Sequence, residues 1–338
     1  MPSRRVIGVD MGGSKLLVGA VDGSLGVHHR VQRTVLGLDQ PTLLNTVQTA
    51  VEDVIQYTGG DVDAVGFGIP SLIDRRRGTS VKSVHLPLDD LAFADVMTER
   101  LGLPVSMDND ANLAALAEHR AGAAVGASEV VLLTLGTGIG GGLILGGRLY
   151  RGAVGAAGEL GHMVVDLDGP RCYGDCPSRG CIEALASGTA LAAQAREAAR
   201  RQPRSGLGRA LADGQDLVGS LVTELAHDGD QAAIDVLRLI GARLGVAIAS
   251  LVNIFNPEVV VIGGGVIGAG ELLLGPAREE VADRALPPSR DDVRIVAAHF
   301  GVEAGMIGAA VLALDEHPAG ARDGRRAVDE GGRRGETK

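Results

Sequence analysis

Short apolar runs that end in glycines recur along the chain, and they predict buried strands followed by tight turns. Val6–Asp10 is such a run, and it is followed by the turn MGGSK and a second strand at Leu16–Val21. The pattern returns between Val130 and Leu145 as VVLLTL, GTGIGGG and LILGG. Two similar units at the starts of the two halves predict an internal duplication.

Stretches with helical periodicity alternate with the strands, which predicts an α/β fold with largely buried sheets. The charged, Gly-rich tail Glu316–Lys338 is predicted to be disordered. Further strands are predicted at 27–35, 64–69, 103–107, 258–262 and 293–298, and helices at 41–57, 110–122, 190–199, 230–253, 270–285 and 304–314.

Length and composition narrow the class of protein. The 338 residues suffice for about two domains. A net charge of −10, no Trp and 2% aromatics argue against binding to nucleic acid. No uncharged apolar run approaches the ~18 residues of a membrane span, and the N-terminus reaches Gly and Asp before any signal-type run builds up. These features predict a cytoplasmic protein that binds neither nucleic acid nor membranes.

All three cysteines lie within ten positions of one another and close to a histidine. His162, Cys172, Cys176 and Cys181 offer one nitrogen and three sulfurs, the donor set of a closed structural zinc site. Glu159 and Glu183 flank the cluster and are acceptors suited to sugar hydroxyls. One alternative is a metal site that stabilises the fold and has no other role. The other is a disulfide with one spare thiol, which the absence of a secretory segment disfavours.

Three glycine turns follow apolar strands, at 10–14, 135–142 and 262–270. Each turn alone is weak evidence for a phosphate site, because glycines after a strand often mark only a tight turn. Together they offer three places where backbone N–H groups can meet phosphate oxygens. The Rossmann and P-loop patterns do not fit, so a nucleotide held by two duplicated halves is favoured.

Two acidic segments at strand ends have the chemistry for phosphoryl transfer. Asp10 can hold Mg²⁺ while Ser14 faces a terminal phosphate, although a turn-capping Asp is the alternative. Asn109 can bind two adjacent hydroxyls, and Asp110 can accept the proton of an attacking hydroxyl. Helix capping is the alternative role for either residue, but capping does not explain why every polar residue of the segment DNDAN is there.

The motifs resemble those of the ROK family of sugar kinases, in particular its zinc-containing bacterial glucokinases. DMGGSK is similar to the family's first phosphate loop, DNDAN to its catalytic loop and LGTGIGGG to its second phosphate loop. IGGGV is similar to its adenosine-side glycines, and ELGH with GCIE to its sugar and zinc signature. The motifs follow the family's order and cover about Val6 to Leu314.

The resemblance implies a duplicated, actin-like (RNase-H-type) ATPase fold of two lobes with an interlobe cleft. It also implies ATP-dependent, Mg²⁺-assisted phosphorylation of a hexose at its 6-hydroxyl by a homodimer or homotetramer. Residues 1–120 would form the small lobe, with the 304–315 helix returning to it, and 121–303 the large lobe. The implied base is Asp110; the implied sugar ligands are Asn109, Glu159, His162, Glu183 and Ser71; the implied nucleotide-site residues are Asp10, Gly12, Gly13, Ser14, Lys15, Gly136, Thr137, Gly138, Gly264 and Gly265.

The chain departs from the family pattern at four places. Ser14 replaces the usual Thr and keeps the hydroxyl, Ser71 stands where Gly is common, and His85 stands where Asn is common. If the position of Ser71 needs positive φ, either Ser71 is strained there or the loop is reshaped. Cys172-x3-Cys176 is wider than the family's CxC, and Gly174 within it would allow a bulge that leaves both sulfurs in place. Zinc is still expected to bind.

Glucose is the favoured substrate, with N-acetylmannosamine, fructose and allose as alternatives. ATP is favoured over polyphosphate, because the polyphosphate subgroup generally lacks the cysteines. A non-catalytic sugar-binding regulator is an alternative of another class. A repressor of this family would carry a helix-turn-helix before its first phosphate loop, whereas nine residues precede Asp10.

Overall fold

The structure, a computed structural model, describes residues 5–83 and 85–318. The chain divides into two compact units. Among the described residues, unit 1 takes in 5–83, 85–110 and 305–318, and unit 2 takes in Ala111–Ala304. The division falls ten residues before the boundary expected at 120. The predicted disorder of 316–338 concerns mostly residues outside the described ones, and Glu316 itself ends a helix.

Unit 1 contains a five-stranded sheet with the order β3-β2-β1-β4-β7. The first three strands form an antiparallel meander, and β1, β4 and β7 run parallel. A separate hairpin, β5-β6, follows β4. The strands are β1 (Arg5–Met11), β2 (Lys15–Asp22), β3 (Val27–Thr34), β4 (Val65–Ile69), β5 (Ser71–Asp74), β6 (Thr79–Ser83) and β7 (Val105–Asn109).

Unit 2 contains a second five-stranded sheet, with the order β10-β9-β8-β11-β12. Its meander is antiparallel, and β8, β11 and β12 run parallel. Order and directions repeat those of unit 1, which confirms the predicted internal duplication. The strands are β8 (Val130–Leu135), β9 (Ile139–Leu145), β10 (Arg148–Leu149), β11 (Val259–Gly263) and β12 (Arg294–Ala297).

Eleven α-helices occur within the described residues, and none of these is long and apolar enough to cross a membrane. The predicted long helices are present, whereas α2, α4, α6, α7 and the one-turn α10 were not predicted. The helices are α1 (Gln40–Tyr57), α2 (Phe93–Leu101), α3 (Asp110–Ala121), α4 (Ile182–Ala186), α5 (Gly188–Arg201), α6 (Gly206–Ala212), α7 (Gly219–His227), α8 (Gln231–Phe255), α9 (Glu271–Arg284), α10 (Ser289–Asp292) and α11 (Ala304–Glu316).

Helix α11 packs closely on one face of the unit 1 sheet, because glycines line that face. A Cβ on Gly8 would overlap the carbonyl of Met306, and one on Gly66 would overlap the carbonyl of Ala309. Side chains alternate between the two faces of a strand, so Gly8 and Asp10 share this face. The glycines of β1 and β4 therefore bring the α11 backbone towards the sheet edge where Asp10 lies.

The glycine-rich turn predicted at 136–142 is shorter than expected, because β9 already begins at Ile139. Gly140 and Gly142 face α3, where a Cβ would come within 3 Å of the Ala111 or Ala115 side chain. Gly141 lies against Gly158 and Leu160. These glycines therefore serve close packing within a strand, and the turn consists of Gly136–Gly138.

Candidate functional site

The parallel strands of unit 1 bring Asp10 and the DNDAN segment to one edge of the sheet. Asp10 of β1 pairs with Gly68 of β4, and Gly68 pairs with Asp108 of β7. Asn109 ends β7, and Asp110 begins α3. The carboxyl ends of parallel strands form the usual ligand-binding edge of an open sheet. Residues predicted from two separate motifs, Asp10 from the first and Asn109 and Asp110 from the second, thus lie at one edge of the sheet.

The environment of Asp10 favours a bound cation. Burial raises the pKa of Asp10 to about 7, and the charge of Asp110 adds to the shift. Helix α11 comes so close that a Cβ on Gly305 would meet the Asp10 carboxylate. Two carboxylates that destabilise each other's charge, with oxygen donors only, suit a hard cation such as Mg²⁺. The residues present therefore fit the predicted Mg²⁺ site.

The first glycine turn connects β1 to β2 and presents a polar tip. The Gly12 N–H donates to the Lys15 carbonyl at 2.8 Å, and Ser14 and Lys15 are exposed. A Cβ on Gly13 would come within 2.8 Å of the His85 Cβ. His85, which stands where Asn is common in the family, therefore packs directly against the predicted phosphate turn.

Ser71 contacts Asn109 through its backbone rather than through its hydroxyl. The Asn109 Nδ2 donates to the Ser71 carbonyl at 3.4 Å. The Ser71 hydroxyl is buried, lies 2.6 Å from the Ser80 hydroxyl and donates to the Lys82 carbonyl at 2.8 Å. Ser71 begins β5 and does not adopt a positive φ, so this position carries no backbone strain of that kind. The geometry favours a role for Ser71 in holding Asn109 over the predicted contact with sugar.

The second glycine turn, Gly136–Gly138, is held by the first residues of α5. The Gly188 N–H donates to the Gly136 carbonyl at 2.8 Å, and the Thr189 Oγ1 donates to the Thr137 carbonyl at 2.7 Å. The turn closes on itself through the Gly136 N–H and the Gly138 carbonyl. The contacts with α5 and the bond within the turn engage the carbonyls of Gly136, Thr137 and Gly138 together with the Gly136 N–H, and they fix the conformation of the turn.

The third glycine segment lies beside the end of β8. Gly264 has φ +84°, and a Cβ there would overlap the backbone of Leu135. Gly265 begins the short 3₁₀ helix Gly265–Ala269. Unit 2 therefore brings Gly264 and Gly265 next to the Gly136–Gly138 turn, as expected for two parts of one nucleotide site.

The four predicted zinc ligands form a compact cluster in unit 2. Their donor atoms all lie within 4.8 Å of one another, with the Cys172 Sγ 3.6 Å from the His162 Nδ1. The sulfurs of Cys176 and Cys181 are 3.9 Å apart. Sulfurs bound tetrahedrally to one zinc at ~2.3 Å lie about 3.8 Å apart. The donor set and its spacing therefore fit a structural zinc ion.

The wide spacing between Cys172 and Cys176 is accommodated by an exposed bulge. Tyr173, Gly174 and Asp175 are exposed, and Gly174 adopts φ +59°. Both sulfurs remain in the cluster. Without a metal, burial raises the pKa of Cys172 and Cys181, so these thiols hold their protons. A cation at the centre would favour the thiolates.

His162 faces the cysteines with one ring nitrogen and Glu159 with the other. Its Nδ1 points to Cys172, and its Nε2 lies 3.9 Å from the Glu159 carboxylate. Burial raises the pKa of Glu159, and His162 opposes that shift. This is the arrangement expected if one nitrogen binds a metal and the other, with Glu159, faces a hydroxylated ligand.

Glu183 connects the cysteine cluster to the second glycine turn. Its Oε2 accepts the Ile139 N–H at 2.9 Å, and its Oε1 lies 3.7 Å from the Cys172 Sγ. The sequence predicted a sugar contact for this residue and gave no sign of the contact with the turn. Thr189 was also missed, because a Thr after Ser-Gly at a helix start reads as ordinary capping.

A model of the ROK family matches residues 6–316. The chain belongs to the ROK family. The glycine turns, the DNDAN segment and the cysteine cluster all lie within the matched residues.

Three similar proteins show that the resemblance extends over more than nine-tenths of this chain. The glucokinase of Thermotoga maritima is 36% identical over 314 residues, which cover 92% of this chain and 98% of the relative. The crystal structure of a ROK family glucokinase from Streptomyces griseus, in complex with glucose and AMPPNP, is 35% identical with a TM-score of 0.83, covering 92% and 99% of the two chains. The xylose repressor of Bacillus spizizenii is 27% identical over 316 residues, which cover 91% of this chain and 77% of the repressor.

Proposed function

We propose that this ROK protein is an ATP-dependent hexose kinase that phosphorylates the 6-hydroxyl of glucose. The observation that carries the proposal is its likeness, over nearly the whole of both chains, to glucokinases that include one with bound glucose and AMPPNP. The polar residues at the edge of the unit 1 sheet supply the chemistry that such a reaction needs.

Asp110 is the proposed general base. It begins α3 next to Asn109, whose amide is oriented by the Ser71 carbonyl. Asn109 binds neighbouring sugar hydroxyls. Asp110 accepts the proton of the 6-hydroxyl while the oxygen of that hydroxyl bonds to the terminal phosphorus of ATP, and the bond from this phosphorus to the bridging oxygen breaks so that ADP leaves. Phosphoryl transfer depends mainly on such positioning and on neutralisation of charge.

Asp10 and the glycine turns are proposed to hold the nucleotide. Mg²⁺, when bound with ATP, neutralises the charge of the phosphates. Asp10 holds that cation, and the exposed Ser14 and Lys15 face the terminal phosphate. The turn Gly136–Gly138 and the neighbouring Gly264–Gly265 segment bind the rest of the nucleotide through backbone N–H groups.

The cysteine cluster is proposed to hold a structural zinc ion that orients the sugar-binding side chains of unit 2. His162 would bind zinc through Nδ1 and present its Nε2, together with Glu159, to sugar hydroxyls. Glu183 would contribute its Oε1 while its Oε2 remains on the Ile139 N–H. A rigid metal-centred loop keeps such acceptors at fixed positions, which hydroxyl recognition requires.

A sugar-binding regulator without catalysis is the second candidate, because a xylose repressor resembles 91% of this chain. Other hexoses, in particular N-acetylmannosamine, fructose and allose, are alternative substrates. The cytoplasmic location and the homodimer or homotetramer remain predictions that rest on the family resemblance.

The test is ADP release from Mg²⁺-ATP in the presence of each hexose, with xylose included for the repressor alternative. We expect glucose to give the highest kcat/KM, and the product to be the 6-phosphate by ³¹P NMR. The matched control is 6-deoxyglucose, which lacks the attacked hydroxyl and should give no ADP above background. Binding of xylose or glucose without any ADP release would support the regulator instead.

A further inference from the structure

The first residue of the DNDAN segment, Asp108, carries a buried carboxylate that the proposed kinase mechanism does not use. The Asp108 side chain is only 2% exposed, although it immediately precedes Asn109 and Asp110. Its Oδ1 accepts the N–H of Asn109 at 2.8 Å. A buried carboxylate is costly unless a cation or several hydrogen bonds stabilise its charge. The position of Asn109 therefore depends on how the charge of Asp108 is compensated.

A cation from the β5-β6 hairpin approaches the other oxygen of this carboxylate. The Arg75 Nε lies 3.8 Å from the Asp108 Oδ2. This distance is that of an ion pair rather than a hydrogen bond. Arg75 stands 33 positions earlier in the sequence, in the turn that follows β5. That hairpin begins at Ser71, whose carbonyl receives the Asn109 amide, so the hairpin reaches the catalytic segment at two points.

The guanidinium of Arg75 is itself held by the last residue of α11. The Arg75 Nη2 donates to the Glu316 Oε1. The next residue, His317, lies with its Nε2 3.0 Å from the Ser106 Oγ of β7. The C-terminal end of α11 therefore contacts both Arg75 and β7. The neighbouring Arg77 differs, because its side chain is 82% exposed and its partner is Asp74.

We propose that Arg75 is a positioning residue for the catalytic segment: it compensates the buried charge of Asp108 and so fixes Asn109 and Asp110, while Glu316 fixes Arg75. Arg75 touches no substrate in this proposal and acts through Asp108. The proposal rests on the proposed kinase function for its kinetic readout, but the ion pair itself can be tested by stability alone.

The test is a double-mutant cycle with Arg75→Gln, Asp108→Asn and the combined variant, with Arg77→Gln as the matched control on the same turn. Arg75→Gln removes the guanidinium charge that faces the buried carboxylate. We expect its kcat to fall about tenfold, with the KM values for glucose and ATP within about threefold, and its Tm to fall by about 5 °C. Arg77→Gln should match the wild type.

The combined variant separates positioning from a direct contact with substrate. If Arg75 compensates Asp108, removal of both charges should recover most of the lost Tm and bring kcat to within about threefold of wild type. Arg75→Lys should also retain most of kcat. An Arg75→Gln variant with an increased KM for ATP that Asp108→Asn does not rescue would overturn the proposal, because that is the behaviour of a phosphate contact.

The stability cycle gives a result even if the proposed function fails. If the wild type transfers no phosphate to any hexose, the kinase proposal is wrong, and the Tm values of the four proteins still measure the Arg75–Asp108 coupling. Additive Tm changes would show that the two residues do not interact and would overturn the inference. Wild-type kcat and Tm in Arg75→Gln would do the same.

Discussion

The Glu183 Oε2 accepts a hydrogen bond from the backbone N–H of Ile139, 2.9 Å away. Its other oxygen lies near the Cys172 sulfur, so one carboxylate joins the cysteine cluster to the turn Gly136–Gly138. The part of unit 2 proposed to bind sugar is therefore physically connected to the part proposed to bind phosphate.

Replacement of Glu183 should weaken binding of the nucleotide as well as of the sugar. In Glu183→Ala, the Ile139 N–H loses its partner and the adjacent turn loosens, so we expect the KM for ATP to increase about tenfold. Glu183→Gln keeps an acceptor oxygen and should retain the KM for ATP within about threefold. Steady-state kinetics with each substrate varied separately will check this. An unchanged KM for ATP in Glu183→Ala would refute the connection.

The purified protein should contain one zinc per chain, and the metal should contribute to folding stability. Cys181→Ser removes a buried ligand, so we expect this variant to bind less zinc, to have a lower Tm and to be less active. The three effects should occur together, since the binding energy of a structural metal is partly folding energy. Elemental analysis and thermal denaturation provide the readouts. A wild type with well under one zinc per chain, or a variant that loses activity with unchanged Tm, would contradict the assignment.

Gly264 should be intolerant of a side chain, whereas nearby Gly268 should tolerate one. Gly264 has φ +84°, and a Cβ would overlap the Leu135 backbone next to the phosphate turn. We expect Gly264→Ala to lose about 2–4 kcal/mol of unfolding free energy and to weaken binding of ATP. A Cβ on Gly268 would meet no atom of the described residues within 4 Å, so Gly268→Ala is the control. Equal stability of the two variants would disprove this packing.

The raised pKa of Asp10 predicts an unusual dependence of stability on pH in Mg²⁺-free buffer. The folded protein holds this proton up to about pH 7, whereas the unfolded chain releases it near 3.8. Asp10 therefore costs stability progressively as pH rises from about 4 to 7. A three-unit shift corresponds to about 4 kcal/mol, which solvent screening reduces to about 1–2 kcal/mol.

Asp10→Asn removes this cost. Its stability relative to wild type should improve by roughly 1 kcal/mol between pH 5 and pH 8, because part of the cost is already present at pH 5. Denaturant unfolding of both proteins in EDTA at the two pH values is the measurement. A stability difference that stays constant with pH, or that moves in favour of the wild type, would show that Asp10 is not destabilised by its surroundings.

The sequence predicted the duplicated sheets and most candidate residues, because those features depend on local patterns. Apolar runs before glycines identified β1, β8 and β11, and the DNDAN segment falls where a strand meets a helix. The positions of Gly140 and Gly142 within β9 were not predicted. Their role depends on Ala111 and Ala115 of α3, which are distant in sequence and meet them only in the folded chain.

Contacts between distant segments explain the other differences. The hairpin β5-β6 was not predicted, and the hydroxyl of Ser71 is occupied by Ser80 and Lys82 of its second strand. The ion pair of Arg75 with Asp108 joins residues 33 positions apart, and neither residue alone signals a partner. Such pairs depend on which strand ends meet, and that information lies in the three-dimensional structure.

Comparison of Asp110→Asn with the wild type tests the proposed mechanism most directly, with ADP release and calorimetric binding of glucose measured on the same preparations. A general base acts mainly in the transition state, so we expect kcat to fall about 10³-fold while the Kd for glucose stays within about threefold. A variant that keeps a near-wild-type kcat, or that loses activity only through lost glucose binding, would contradict the role of Asp110 as the catalytic base.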